Sequence, residues 1–575
     1  MSHRRSGSVL SVLGTVVLIV AACGATPSNP PASGAPGPSG SNAGPSADAT
    51  ASSTAIQGGT LRIGFAGAIL EGLNPFTTYS YDAAVITSTI YPSLIQLDND
   101  LKFLPNFAKD WAVSADGLTW TFHVATGGQW SDGQPLTAAD AAYTINLISK
   151  YAKTSLAGTS QTSKVAGVVS ASAPDDGTLV VTYEEPSGAV LWTLGRLPIL
   201  PEHIWSQQEG VDGAGIKTFA NDPAVSGGAF VESKFTTGDS ALFTRNDHFY
   251  GTPAIIDGYG IVNFKNTDAM VAALKNGQID LAENLPATAV PALNGVANVT
   301  VAEGPGSVMD TLYVNVNKDR PLHKELLDPK VREAFDHAIN RPQILDVVWL
   351  GHAIAGGSYV PPSAGDWHDG TIESPAYDVA KANQLLDDAG YAAGADGIRV
   401  ANGEKMSYTL ITTTDNDAAD RIFSILADSF KAIGVEVIQQ SLDPSAAGAA
   451  VGSPDGKQLD YTLILWNAFG AIDFNFYSSL FLCSGIGTTN GDSYCSQDYE
   501  SLYEQQRTTV DDAARQDLLH QMQQLIATDR PEYELDYRNM IEGRSSKWDG
   551  FSMSPQGSYT YLNGLTLLQV HQTGN

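Results

Sequence analysis

The stretch LPNFAKDWAVSADGLTWTFHVATGGQWSDGQPLTAADAAYTI, residues 104–145, packs two turns, a strand and a helix start into close succession. Ser114, Asp116 and Gly117 form a turn. Leu118, Trp120, Phe122 and Val124 then alternate with Thr119, Thr121 and His123, the period of a strand buried on one face. Trp130-Ser131-Asp132-Gly133 is a second turn, and Thr137 with Asp140 three residues on is the capping-box start of an Ala-rich helix carrying Tyr143. Turn and core residues of this kind hold a fold together, so these are expected as scaffold and not as a binding surface.

Both motifs resemble one family, the extracellular solute-binding proteins, family 5, of ABC importers, which includes oligopeptide-, dipeptide- and nickel-binding members. Its members carry "P-x-L-A-x-x-W-x-x-S-x-D-G-x-T-W-T-F-x-L" followed by "W-S-D-G-x-P-x-T-A-x-D-V-x-Y". The likeness continues at Gly58-Gly59-Thr60-Leu61-Arg62-Ile63-Gly64, at Gly227 to Val231 with Arg245-Asn246 and Tyr250-Gly251, and at Ala272 to Asp280. Ala229 replaces a usual proline. The resemblance implies an α/β, bilobal, periplasmic-binding-protein-like clamp (type II, cluster C) with an extra domain in the first half. Lobe 1 is expected over 56–93, 222–306 and 541–575, the extra domain over 94–221, and lobe 2 over 307–540.

The N-terminus reads as a targeting segment. His3, Arg4 and Arg5 precede an apolar run over 9–20, too short to span a bilayer, and Val20-Ala21-Ala22-Cys23 resembles a bacterial lipobox. A signal peptide over 1–22 is expected, with Cys23 lipidated and 23–55 forming a tether of Ala, Gly, Pro, Ser, Thr and Asn that cannot bury a core. The protein is then anchored to the outer face of the cytoplasmic membrane, in the periplasmic space where the host has an outer membrane. The remaining body of about 520 residues is too large for one core. The 32 Lys and Arg face 62 Asp and Glu, a net charge of −30. Such a surface repels nucleic acid and acidic headgroups. Two further cysteines, Cys483 and Cys495, flank a Gly-rich loop, and outside the cytoplasm a disulfide is the expected state. A similarly placed pair occurs in the dipeptide-binding branch of the family.

The second half alternates helices with strands. Asp328 caps a helix that has Pro329 first and the stripe Val331, Phe335, Ala338, Ile339. Asp378 starts another, with Leu385, Leu386 and Ala389 inward and Gly390 closing it. A third, with Ile422, Ile425, Leu426 and Ile433, ends at Gly434 and leads into the strand Val435 to Ile438; the apolar run Tyr461 to Trp466 reads as a strand covered on both faces.

No G-x-S-x-G, H-E-x-x-H, Walker loop or zinc-type cysteine spacing occurs, and the ten histidines are scattered. No catalytic residue, cofactor or metal is expected. A binding clamp needs apolar walls and a few orienting polar groups. Tyr79, Tyr81, Trp367, Trp466, Asn467, Phe469 and Asp473 are the candidate ligand-binding residues. In peptide-binding relatives a "W-x-x-D" aspartate pairs with the peptide ammonium, whereas the position three after Trp466 is Phe469. The dipeptide branch holds the peptide carboxylate with an arginine before a helix; here Ile411 to Asp417 contain no basic residue. A buried terminal charge without a counter-ion costs several kcal/mol, roughly. A free dipeptide is therefore disfavoured. What the resemblance implies is an oligopeptide carried to a permease and its ATPase subunits by a monomeric binding protein. An oligosaccharide is the alternative ligand, and a secreted hydrolase or ligand-free regulatory lipoprotein the alternative class.

Overall fold

Strand β1 (Thr60–Ala66) opens the body and buries Leu61, Ile63 and Phe65, as its alternation requires. The structure, a computed structural model, describes residues 55–67, 70–78, 81–452, 461–469, 474–554 and 562–574. The expected signal segment, Cys23 and tether lie outside these residues. Helix α1 (Tyr81–Ile90) follows β1, and a separate four-stranded antiparallel sheet comes next: β2 (Ala108–Val113), β3 (Thr119–Val124), β4 (Val168–Asp175) and β5 (Thr178–Tyr183), in the order β2-β3-β5-β4. Helix α2 (Ala138–Tyr151) packs on β4, where the Asn146 side chain exchanges hydrogen bonds with the Ala171 backbone. It starts with the capping box anticipated from Thr137 and Asp140, both halves of which form. In β3 Trp120, Phe122 and Val124 are buried, as the alternation demanded.

The chain then builds the main sheet. Its strands are β1, β6 (Phe230–Thr236), β7 (Ser240–Arg245), β8 (Gly258–Phe264), β9 (Leu281–Ala282), β10 (Val299–Val314), β11 (Ala353–Ala355), β12 (Ser407–Thr413), β13 (Glu436–Leu442), β14 (Leu463–Phe469) and β15 (Glu532–Ser545). Their order is β13-β12-β14-β10-β15-β9-β1-β8-β7-β6, with β11 added on β15. The long antiparallel strands β10 and β15 are common to both halves. Val299 to Pro305 pair with Ser545 to Asn539, and Met309 to Tyr313 pair with Tyr537 to Glu532, with register shifts after Pro305 and after Asp310. At the first shift a Cβ on Gly306 would stand 2.1 Å from the Arg538 carbonyl oxygen, so this bulge requires glycine.

Helices α3 (Pro329–Ala338), α4 (Val379–Asp388) and α5 (Ala419–Lys431) cover one face of the second half, burying Val331, Phe335, Leu386, Ile422 and Leu426 against Leu312, Leu463 and Leu465. Asp328 and Asp378 cap α3 and α4 by accepting from the Lys330 and Lys381 N–H groups. Ala389, expected inward, is only half-buried because it is the C-cap of α4. Strand β14 is central and covered on both faces, with Leu463 and Leu465 in one cluster and Ile464 in another. Helices α6 (Gln497–Thr508) and α7 (Asp512–Asp529) pack on an aromatic cluster that also takes Trp192 from the first third of the chain. The Cys483–Cys495 disulfide is formed.

Candidate functional site

Strands β12 and β14 are parallel neighbours, so their carboxyl ends open together beside β10. In open α/β sheets that is where ligand crevices form. Alternation along β14 pairs Trp466 with Thr311 and Asn467 with Asp310. Asp310 is fully buried and organises the site. Its Oδ2 accepts from Arg538 Nη2 at 2.7 Å and Nε at 3.2 Å, and its Oδ1 accepts from Asn416 Nδ2 at 2.9 Å. With the Asn467 amide oxygen turned to the guanidinium, it accepts from Arg538 Nη2 at 2.5 Å and Nη1 at 3.1 Å. The guanidinium lies 4.1 Å from the Trp349 ring centroid, and the Trp349 indole N–H donates to Asp536 Oδ2 at 2.8 Å. Arg538 thus ties the loop after β12, through Asp310 and Asn416, to the end of β14.

Charge is unequal here. Asp310 and Asp536 face each other across the strand pair, both fully buried, with Arg538 beside them. Burial first, and the Asp310 carboxylate second, hold the Asp536 carboxyl well above the usual carboxylate range, against the opposing effect of Arg538. The arrangement offers amides, an indole and a neutralised ion pair, a surface suited to hydrogen bonding with an uncharged polar solute.

The other sequence candidates distribute as follows. Trp466 is half-buried against the cluster of Ile411, Ala447, Tyr461 and Ile464. Tyr79 and Asp473 lie outside the described residues, as do the side chains of Tyr81 on α1 and Phe469 at the end of β14. Trp367 is 4% exposed, stacked on Phe474 at 4.6 Å and edge-on to Trp192 at 5.4 Å, in the aromatic cluster under α7. Asp310, Asn416, Asp536, Arg538 and Trp349 were missed from sequence. A signal was present in β15, where Glu532, Glu534, Asp536 and Arg538 place charge at every second position of a strand otherwise rich in Tyr and Leu. Among the histidines, His352 Nδ1 stands 3.0 Å from both Glu303 carboxylate oxygens, and burial lowers the His368 pKa.

Beyond the second register shift the same strands carry an acidic interior. Glu534 pairs with Thr311 and Glu532 with Tyr313 in the ladder, and Asp492, from the disulfide-closed loop, joins them. Asp492 is 2% exposed; its Oδ1 accepts from the Tyr494 N–H at 3.0 Å. Asp492 Oδ2, Glu534 Oε1 and the Tyr461 hydroxyl have no hydrogen-bond partner among the described residues. Burial pushes Asp492 and Glu534 each up to about 7, and burial with the two neighbouring carboxylates pushes Glu532 well above its ordinary value. Arg332 and Arg341 pull against the rise at Asp492 and Glu534 respectively.

A bilobal α/β body with a polar cluster at the strand ends, where both halves of the sheet share two strands, defines a solute-binding protein. Residues 102–488 match the family described as bacterial extracellular solute-binding proteins, family 5 Middle, and the chain belongs to that family, one of transport-binding proteins. A Brucella ovis relative whose name describes an ABC transporter peptide-binding protein is 28% identical over 423 residues, 72% of this chain and 75% of its own. Among solved structures, the substrate-binding protein CtaP of Listeria monocytogenes shares the fold with a TM-score of 0.76 at 24% identity, covering 90% of this chain and 99% of its own. The oligopeptide-binding protein AppA of Bacillus subtilis, solved with a nonapeptide, does so with a TM-score of 0.70 at 21% identity, covering 90% and 100%. The chain is therefore a substrate-binding protein of an ABC transporter. Among the described residues no helix is long and apolar enough to cross a membrane.

Proposed function

We propose that this chain captures extracellular oligopeptides between two lobes and delivers them to a membrane permease driven by ATPase subunits, while a lipid on Cys23 keeps it at the membrane. The observation that carries this reading is the self-neutralised cluster at the strand ends. Just before α5, where a dipeptide carrier would present an arginine, Asn416 is committed to Asp310; at the end of β14, Asn467 is committed to Arg538. A solute held here by hydrogen bonds along its main chain needs no fixed terminal charge, which suits peptides of variable length. The names of the peptide-binding relative and of the nonapeptide complex agree with that choice. In this reading lobe 1 comprises 56–93, 222–306 and 541–575 with the extra domain 94–221 on it, and lobe 2 comprises 307–540; the register shifts of β10 and β15, close to 306 and 540, support a junction there. Closure follows from better ligand contacts in the closed state, a population shift without covalent chemistry.

Native mass spectrometry of the mature protein purified from its own host, followed by denaturation and identification of the released solute, tests the proposal. A mixture of peptides of varied sequence is the expected result. A hexose ladder would assign the protein to oligosaccharide capture, and conversion of an added solute to product would make it a hydrolase.

A further inference from the structure

We propose that Asn467 is a specificity-determining residue that donates a hydrogen bond through Nδ2 to a carbonyl oxygen of the captured solute, and that Arg538 is the positioning residue that fixes its amide in that sense. The inference rests on the reading of the chain as a peptide-capturing protein and names the chemistry of one contact within it. An asparagine amide has an acceptor side and a donor side, and left alone it presents either. Here both terminal nitrogens of Arg538 address the amide oxygen, at 2.5 and 3.1 Å, which leaves Nδ2 on the side away from the guanidinium. The guanidinium is itself immobilised, by Asp310 on its Nε–Nη2 edge and by the Trp349 ring across its face. Asn467 is half-buried and sits at the carboxyl end of β14, and its Nδ2 carries two hydrogens to give. An oriented donor at that place selects a solute with an acceptor, such as a peptide carbonyl, and disfavours an ammonium.

The test titrates the mature protein, freed of bound solute, with a pool of pentapeptides of randomised sequence bearing N-acetyl and C-amide ends, the bound fraction being read by mass spectrometry. Asn467→Asp keeps an oxygen toward Arg538 and the fold with it, but replaces the donor by an acceptor. Asn467→Asp and Asn467→Ala are each expected to weaken retention about tenfold, the worth of one net hydrogen bond. Arg538→Gln is expected to weaken it to the same degree, and to add nothing when combined with Asn467→Ala, as for groups acting in series. Because Arg538→Gln strips Asp310 of its counter-ion, its melting temperature is recorded alongside, and the donor role is decided by Asn467→Asp. Wild-type retention by Asn467→Asp would overturn the donor role while leaving peptide capture intact. Additive losses would overturn the positioning role of Arg538. Failure of the wild-type protein to retain any pentapeptide would overturn the peptide reading and this inference together.

Discussion

Replacing Asp492 by asparagine removes one carboxyl from the acidic interior under the disulfide loop, and the structure sets both the sign and the size of the effect. Burial raises Asp492 from 3.8 to about 7. A carboxyl raised on folding makes the folded state the better proton binder between those two values. Its contribution is therefore fully present below the unfolded pKa and is lost as pH rises through about 7. At about 1.4 kcal/mol per pH unit, a rise of about three units corresponds to a loss of roughly 4 kcal/mol between pH 4 and 8. The substituted amide carries no such charge and keeps an oxygen for the Tyr494 N–H. Its new N–H groups meet the position where Asp492 Oδ2 already lacks a partner, which offsets part of the gain. A net stabilisation of about 2–4 kcal/mol at pH 8, vanishing near pH 4, is expected. For a body of about 520 residues this corresponds to a melting temperature higher by roughly 2–4 °C. Calorimetric melts of wild type and Asp492→Asn at half-unit steps from pH 4 to pH 8.5, with the disulfide intact, measure it. Titrations away from this cluster cancel in the difference, and the relief of Glu532, which Asp492 helps to raise, adds to the gain with the same sign. A difference that stays constant across the range, or a variant less stable than wild type at pH 8, would refute the buried-carboxyl argument.

Cys483→Ser opens a bridge between residues 12 apart and is expected to cost about 3 kcal/mol, read as a lower melting temperature that reductant no longer affects. Trp367→Ala empties an aromatic cluster and should cost about 3–5 kcal/mol in denaturant unfolding, while calorimetric titration finds solute affinity unchanged within about twofold; a selective loss of affinity would instead make Trp367 a ligand contact. Cys23→Ala removes the acceptor of the lipid, and fractionation of the host should find the protein released from the membrane; equal membrane retention would count against lipidation.

Local rules carried the sequence reading a long way. The capping box at Thr137 and Asp140, the alternation through Trp120 and Phe122, the proline-led helix after Asp328 and the central strand through Leu463 are decided by neighbours a few residues apart. The two shared strands are not. The lobe divisions at 306 and 540, which the family resemblance implied, fall inside β10 and β15, where Gly304-Pro305-Gly306 leads into a bulge within a ladder that resumes at Met309. The site was less legible for the same reason. Asn467 stands beside the recognisable Trp466, but its partner Arg538 and the carboxylate that fixes that arginine, Asp310, are separated from each other by 228 residues. Nothing local distinguishes an aspartate in a ladder from one on a surface until the strand opposite it is known.

The place of β15 governs how the molecule comes into being. It lies between β10 and β9, pairing through Glu532 to Tyr537 with the second half of the sheet and through Asn539 to Ser545 with the first, and Gln572 bridges back to Ile56. β1 and β9 are made early, yet β9 waits for a strand made near the end of the chain. Neither half can close its ladder while synthesis is under way. The body therefore assembles in one late event, and a nonsense change anywhere before β15 leaves two unfinished halves where a different chain order would have spared one.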